Sequence, residues 1–246
     1  MGLLSNFLFN RTIESKYQEF HTLHYLDITA RRLEHLATLG LEIQDKSVLE
    51  LGAGVGDLTQ FFVARDCEIT ATDARPDLVD TLRERFSNQV NTLLVDLEDP
   101  SLEFKNYFDI VFCYGILYHL SDPEAVIKTL ARSTLELFLL ETCVTVKPTT
   151  GIDQISLVKE DSSSLTQALH GTGCRPNREW LFETLRQNFE YVYTTRTQPR
   201  HKQFPLDWNQ VNDEDGLHRA IFICSRKELF NQNLSPILLA KHDPQI

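Results

Sequence analysis

The chain has 246 residues, of which 42% are hydrophobic and 24% charged, ordinary globular values that exclude a disordered tail, a coiled coil or a collagen-like repeat. Its length exceeds a typical domain by about half, which favours one large domain with insertions over two independent ones. The net charge of −11 weighs against nucleic acid as the main partner without excluding it.

At the N-terminus, Met1 to Phe7 carries no basic residue ahead of an apolar stretch, so no signal peptide is expected. Gly2 followed by Asn6 misses the myristoylation pattern. The longest apolar run, 135–146, is interrupted by Glu136 and Glu141 and is too short for a bilayer. The five cysteines at 67, 113, 143, 174 and 224 form no C-x-x-C pair, so neither a disulfide framework nor a zinc site is suggested. A cytoplasmic protein without a membrane anchor is the expectation.

Along the chain, a helical period runs over 13–39, with Tyr17, Phe20, Leu23, Leu26, Leu33 and Leu36 recurring at spacings near three and four before Gly40. This segment, 1–40, is expected to form an N-terminal helical lid. Short apolar runs at 47–51, 68–72, 92–95, 108–114 and 135–142 then alternate with helix-like segments at 58–65, 77–86 and 124–131. Strands alternating with helices imply a parallel sheet covered on both faces. The next helix is expected over 177–188, followed by strands near 191–197 and 219–225 that finish the sheet as a hairpin. The expected organisation is a main domain over 41–230, with substrate-loop insertions at 146–173 and 198–216, and a C-terminal tail over 231–246. Long connections of this kind tend to carry function.

The densest chemical signal is Glu50-Leu51-Gly52-Ala53-Gly54-Val55-Gly56-Asp57, a buried strand running into a glycine turn that opens a helix. Such a turn lets backbone approach a ligand at the carboxyl edge of a sheet. The third glycine falls one position early for the dinucleotide fingerprint, where Asp57 stands instead. Carboxylates here repel a pyrophosphate but suit a ligand carrying ammonium and sulfonium groups. Asp73 ends the second strand about twenty residues on, where a carboxylate can accept ribose hydroxyl protons, and Asp96 ends the third, with Leu97 beside it to pack on a base.

On these residues, together with the Phe108-Asp109-Ile110-Val111 strand, the stretch from Ser47 to about Cys143 resembles a class I S-adenosylmethionine-dependent methyltransferase of the small-molecule branch. The resemblance implies an α/β Rossmann-like three-layer sandwich whose seven-stranded, mostly parallel sheet has an antiparallel last strand. It implies S-adenosylmethionine as cofactor and S-adenosylhomocysteine as product. Gly52, Ala53 and Gly54 would lie against the methionine part with Glu50 near its ammonium, Asp73 on the ribose, and Asp96 and Leu97 on the adenine. Asp57, Ala74 and Tyr114 would complete that site.

In Gly115-Ile116-Leu117-Tyr118-His119 the N-P-P-Y motif of nucleic-acid base methyltransferases is absent. His119 is the candidate general base, since an imidazole accepts a proton near neutrality, or else a packed residue shaping the pocket. Tyr118 is its catalytic neighbour or core filling. Tyr17, His21 and His24 share one face of the N-terminal helix at i, i+4 and i+7 and, with Glu141, are candidate substrate contacts; no metal is expected. The region 175–202 holds six bases against three acids, which admits an anionic substrate or ordinary surface charge. The stretches 171–176 and 203–208 look specific without naming a ligand. The expected reaction is methyl transfer to an oxygen or nitrogen of a small metabolite of natural-product or sugar type. A tRNA or RNA modifier and a non-catalytic cofactor-binding regulator remain as alternatives.

Overall fold

Five parallel strands carry the cleft: β1 (Ser47–Glu50), β2 (Glu68–Asp73), β3 (Val90–Leu94), β4 (Phe108–Tyr114) and β5 (Thr134–Val144). In the computed structural model, which describes residues 17–146, 154–212 and 216–244, they lie in the spatial order β3-β2-β1-β4-β5. β9 (His218–Ser225) pairs antiparallel with β5, β8 (Tyr191–Thr195) pairs antiparallel with β9, and β10 (Leu234–Ser235) closes that edge. The sheet thus has the expected seven strands plus the short β10. The segment 231–246, expected as a tail, is therefore docked on the sheet: Leu234 is core, and buried His242 accepts from Trp208 Nε1 at 3.0 Å. Residues 245–246 lie outside the described residues.

The helices are α1 (Leu23–Thr38), α2 (Thr59–Val63), α3 (Pro76–Phe86), α4 (Pro123–Ser133) and α5 (Arg178–Arg186). Their starts follow from local chemistry: Pro76 and Pro123 stand in the first turns of α3 and α4, and the Asp122 and Asn177 side chains accept from Ala125 N and Trp180 N. One apolar layer, with Ile28, Leu36, Phe62, Leu82 and Phe86, covers one face of the sheet; another, with Val126, Ile127, Leu130, Leu181 and Leu185, covers the other. Burying each such side chain contributes roughly 1.5–3 kcal/mol. Among the described residues, no helix is long and apolar enough to cross a membrane.

Two expectations need correction. The single helix over 13–39 is a 3-10 turn (Gln18–His21) followed by α1, because Thr22 is extended (φ −66°, ψ 153°) and its side chain accepts from Tyr25 N. Tyr17, His21 and His24 therefore do not share a helical face; residues 1–16 of the expected lid, including the start of its helix and the leader motifs, lie outside the described residues. The insertion at 146–173 is also not a plain loop: it carries most of a two-stranded antiparallel hairpin of β6 (Ile155–Lys159) and β7 (Thr172–Pro176), whose few alternating residues were hidden among turn formers. Residues 147–153 and, in the 198–216 insertion, 213–215 lie outside the described residues.

Candidate active site

The carboxyl ends of β1 to β4 open into one cleft, whose floor is the glycine loop. Gly52 and Gly54 have φ of +60° and +59°, a left-handed conformation that L side chains adopt at a cost. Space excludes a side chain as well: a Cβ at Gly52 would stand 2.8 Å from Ile116 Cδ1, and one at Gly54 2.9 Å from Phe20 Cε1. The loop is tied to β2 by Ala53 N–H donating to Thr72 O at 2.8 Å and Gly54 N–H donating to Asp73 Oδ2 at 3.0 Å. Asp73 also accepts from Arg75 N at 3.0 Å through Oδ1. Burial raises the Asp73 pKa while these amides oppose the rise. Each oxygen retains a lone pair for a further donor.

Of the expected cofactor residues, Gly52, Ala53, Gly54, Asp57, Asp73, Ala74, Asp96, Leu97 and Tyr114 all line this cleft. Glu50 does not. It is 1% exposed beneath the loop, its carboxylate oxygens have no well-formed hydrogen bond, and burial pushes its pKa up to about 8 against the pull of Thr59 and Arg85. Asp57 faces the cleft but is shared between Arg85 Nη1 at 2.7 Å and His21 Nε2 at 3.4 Å. Asp96 accepts from Glu98 N at 3.0 Å and pairs with His170 Nε2 at 2.7 Å.

The expected substrate residues scatter. Tyr17 is buried against Val55 and Leu78 and its hydroxyl donates to Asp77 O, so it packs the fold rather than facing the cleft. His21 is taken by Asp57, and His24 is exposed, its ring 5.5 Å from that of His201. Glu141 is fully buried between Arg32 (2.8 Å) and Arg219 (2.9 Å), a charged triad behind the cleft wall instead of a ligand contact.

Tyr118 and His119 do line the cleft. Arg219 Nη2 donates to the Tyr118 hydroxyl at 3.1 Å. His119 Nδ1 is hydrogen-bonded to Glu160 Oε2, which also accepts from Ala168 N at 2.8 Å. Burial lowers the His119 pKa, with Glu160 opposing, so the ring is neutral near pH 7. An ionised carboxylate only accepts, so the proton sits on Nδ1 and Nε2 keeps its lone pair.

Three contributors escaped sequence reasoning. Arg32 is buried in the apolar stripe of α1, between Ile28 and Leu36; its guanidinium lies 3.4 Å from where a Cβ on Gly115 would stand, it lines the cleft, and its Nε has no partner. A charge within an apolar helical stripe is a readable signal of a buried site. Glu160 follows β6 and had no such signal. The third is the loop 161–170, whose Leu165, Thr166, Gln167 and Leu169 cover the cleft. Arg75 Nη2 holds it by donating to the carbonyls of Ser164 (2.8 Å), Ser162 (3.2 Å) and Gln167 (3.3 Å).

A parallel core with one antiparallel seventh strand, a left-handed glycine loop after β1 and acids after β2 and β3 make an α/β, Rossmann-like architecture. Residues 49–135 match the family model described as a methyltransferase domain. It is similar to the ubiquinone biosynthesis O-methyltransferase of Nitrosomonas europaea, with 29% identity over 117 residues covering 46% of this chain and 49% of that protein. The corresponding protein of Xanthomonas euvesicatoria pv. vesicatoria is 34% identical over 103 residues, covering 41% and 43%. The chain thus spans about half the length of the curated relatives it matches. Among solved structures, the N-terminal domain of EvdMO1 in the presence of SAH and D-fucose has a TM-score of 0.62 at 20% identity, covering 81% of this chain and 83% of that one. The 1,6-didemethyltoxoflavin-N1-methyltransferase of Burkholderia thailandensis has a TM-score of 0.54 at 16% identity, covering 91% and 89%. These two likenesses bear on the fold.

Proposed function

We propose that the chain binds S-adenosylmethionine in this cleft and transfers its methyl group to a hydroxyl oxygen of a small metabolite, of natural-product or sugar type, with His119 as general base. The carrying observation is the convergence on one cleft of a glycine loop closed to side chains, the half-satisfied Asp73 carboxylate and His119 held through Nδ1 by Glu160. The residues fit the donor: Asp73 offers acceptor lone pairs for the ribose hydroxyls, Leu97 a surface for the adenine, and Arg32, which lines the cleft, a cation for the methionine carboxylate. His170 stands on the Asp96 oxygen suited to the adenine amino group, so base recognition there involves sharing or moving that imidazole. When bound, the donor supplies an electrophilic methyl carbon on a sulfonium.

The chain's part is orientation and proton handling. His119 Nε2 would take the proton of the acceptor hydroxyl, leaving its oxygen free to receive the donor's methyl group. Holding the reactants in line is the larger contribution; the base adds about 10²–10⁴-fold. Sequence likeness to O-methyltransferases over 103–117 residues favours oxygen over nitrogen as acceptor. Incubation with methyl-labelled S-adenosylmethionine and a panel of catechols, phenols and sugars tests this. Label in a hydroxyl acceptor, falling about 10²–10⁴-fold in His119→Ala, is expected; label in none of the panel, or undiminished transfer by the variant, contradicts it.

A further inference from the structure

We infer that Glu160, delivered by the β6–β7 hairpin, is a positioning residue for His119, and that the cleft-covering loop and the base are assembled as one unit. The inference rests on the reading of His119 as the base.

The hairpin is built for this contact. Gly173 lies in β7 where a Cβ would stand 2.4 Å from Tyr118 O and 2.6 Å from Glu160 Oε1; glycine within a strand marks a close approach of backbone, and here it brings β7 against the turn that carries His119. Cys174 Sγ donates to Leu117 O at 3.5 Å and Arg175 Nη1 to Tyr118 O at 2.9 Å, clamping the hairpin to that turn. The run 171–176, specific in sequence but without a ligand, is therefore the platform of the base.

Glu160 has each carboxylate oxygen assigned. Oε1 takes Arg175 Nη2 at 3.2 Å, and Oε2 takes both the Ala168 amide and His119 Nδ1. The Ala168 bond reaches into the loop 161–170, which Arg75 and the Glu19–Ser164 bond (2.6 Å) hold over the cleft. Folding that loop down thus fixes Oε2 for the histidine. The arrangement sets the tautomer, leaves Nε2 for the acceptor proton, and places a carboxylate against the imidazolium that forms when the proton arrives. The other charges acting on His119 are Arg175 and Arg219, both cationic, so Glu160 is the group that stabilises its protonated form.

The test is a pH titration of the ligand-free full chain by ¹⁵N–¹H NMR of the His119 ring, in wild type, Glu160→Gln and Arg175→Met, with calorimetric binding of S-adenosylhomocysteine to each. The wild type should show the Nδ1–H tautomer. Glu160→Gln keeps an acceptor for Nδ1 but removes the charge, so the His119 midpoint should fall by about one pH unit, while Arg175→Met removes a cation and should raise it. A packing role alone would not move the midpoint in opposite directions. A wild-type Nε2–H tautomer, or an unmoved or raised midpoint in Glu160→Gln, overturns the inference; if that variant does not fold, the Arg175→Met midpoint decides, and an unmoved or lowered value overturns it. Absence of S-adenosylhomocysteine binding by the wild type would instead strike the reading of the cleft, leaving the titration to stand or fall separately.

Discussion

Replacing Glu50 by Gln should stabilise the ligand-free protein by an amount that grows with pH. Glu50 is 1% exposed, and its folded pKa of about 8 stands above the 4.5 of an ordinary glutamate. Between these values the unfolded chain releases the proton while the folded chain keeps it, so the unfolded state binds fewer protons and folding stability falls as pH rises from about 4.5 to about 8. Across pH 5 to 8.5 the lost stability amounts to about 4 kcal/mol. An uncharged amide does not titrate, so the stability difference between Glu50→Gln and wild type should widen by that amount over the same window, whatever fixed offset the amide introduces. Urea denaturation of both proteins at pH 5 and pH 8.5, with matched ionic strength, measures it. A difference that stays constant with pH would refute the reasoning, because it would mean that the carboxylate is solvated or paired in the folded state.

Two further substitutions separate the frame from the site. Gly56→Ala should cost about 2–4 kcal/mol of stability, since the residue has φ +84° and its Cβ would stand 2.4 Å from Phe86 Cε2; thermal unfolding within a degree of wild type would show that the loop and α3 yield freely. Arg32→Met should leave a folded protein, because Glu141 keeps Arg219 at 2.9 Å, yet weaken binding of S-adenosylhomocysteine by about 1.5–3 kcal/mol through loss of a charge-assisted bond to its carboxylate. Unchanged calorimetric affinity would remove Arg32 from the donor site.

The parallel core was readable because its runs are short and apolar and glycine marks the turns after β1 and β4: 108–114 coincides with β4, and 47–51 and 68–72 fall within a residue of β1 and β2. Most of the cleft-lining residues were readable because they sit at strand ends, where position in sequence fixes position in space. Glu50 shows the limit of that rule, since one residue earlier on the strand turns the side chain under the loop. What the sequence hid depends on long-range contact. Thr22 breaks a continuous helical period by capping α1 through its side chain, which apolar spacing does not record. Glu160 reaches His119 across 41 residues through a hairpin whose strands alternate only weakly. The three charges Arg32, Glu141 and Arg219 come from α1, β5 and β9 and meet only once the sheet is assembled.

The central claim is that the cleft at the ends of β1 to β4 holds an adenosyl donor through Asp73. Isothermal titration of S-adenosylhomocysteine into wild type and Asp73→Ala tests it most directly. One-to-one saturable binding by the wild type is expected, with the variant weaker by about 1.5–3 kcal/mol as the charge-assisted bonds to ribose are lost. No binding by the folded wild type, or equal affinity in the variant, would contradict it.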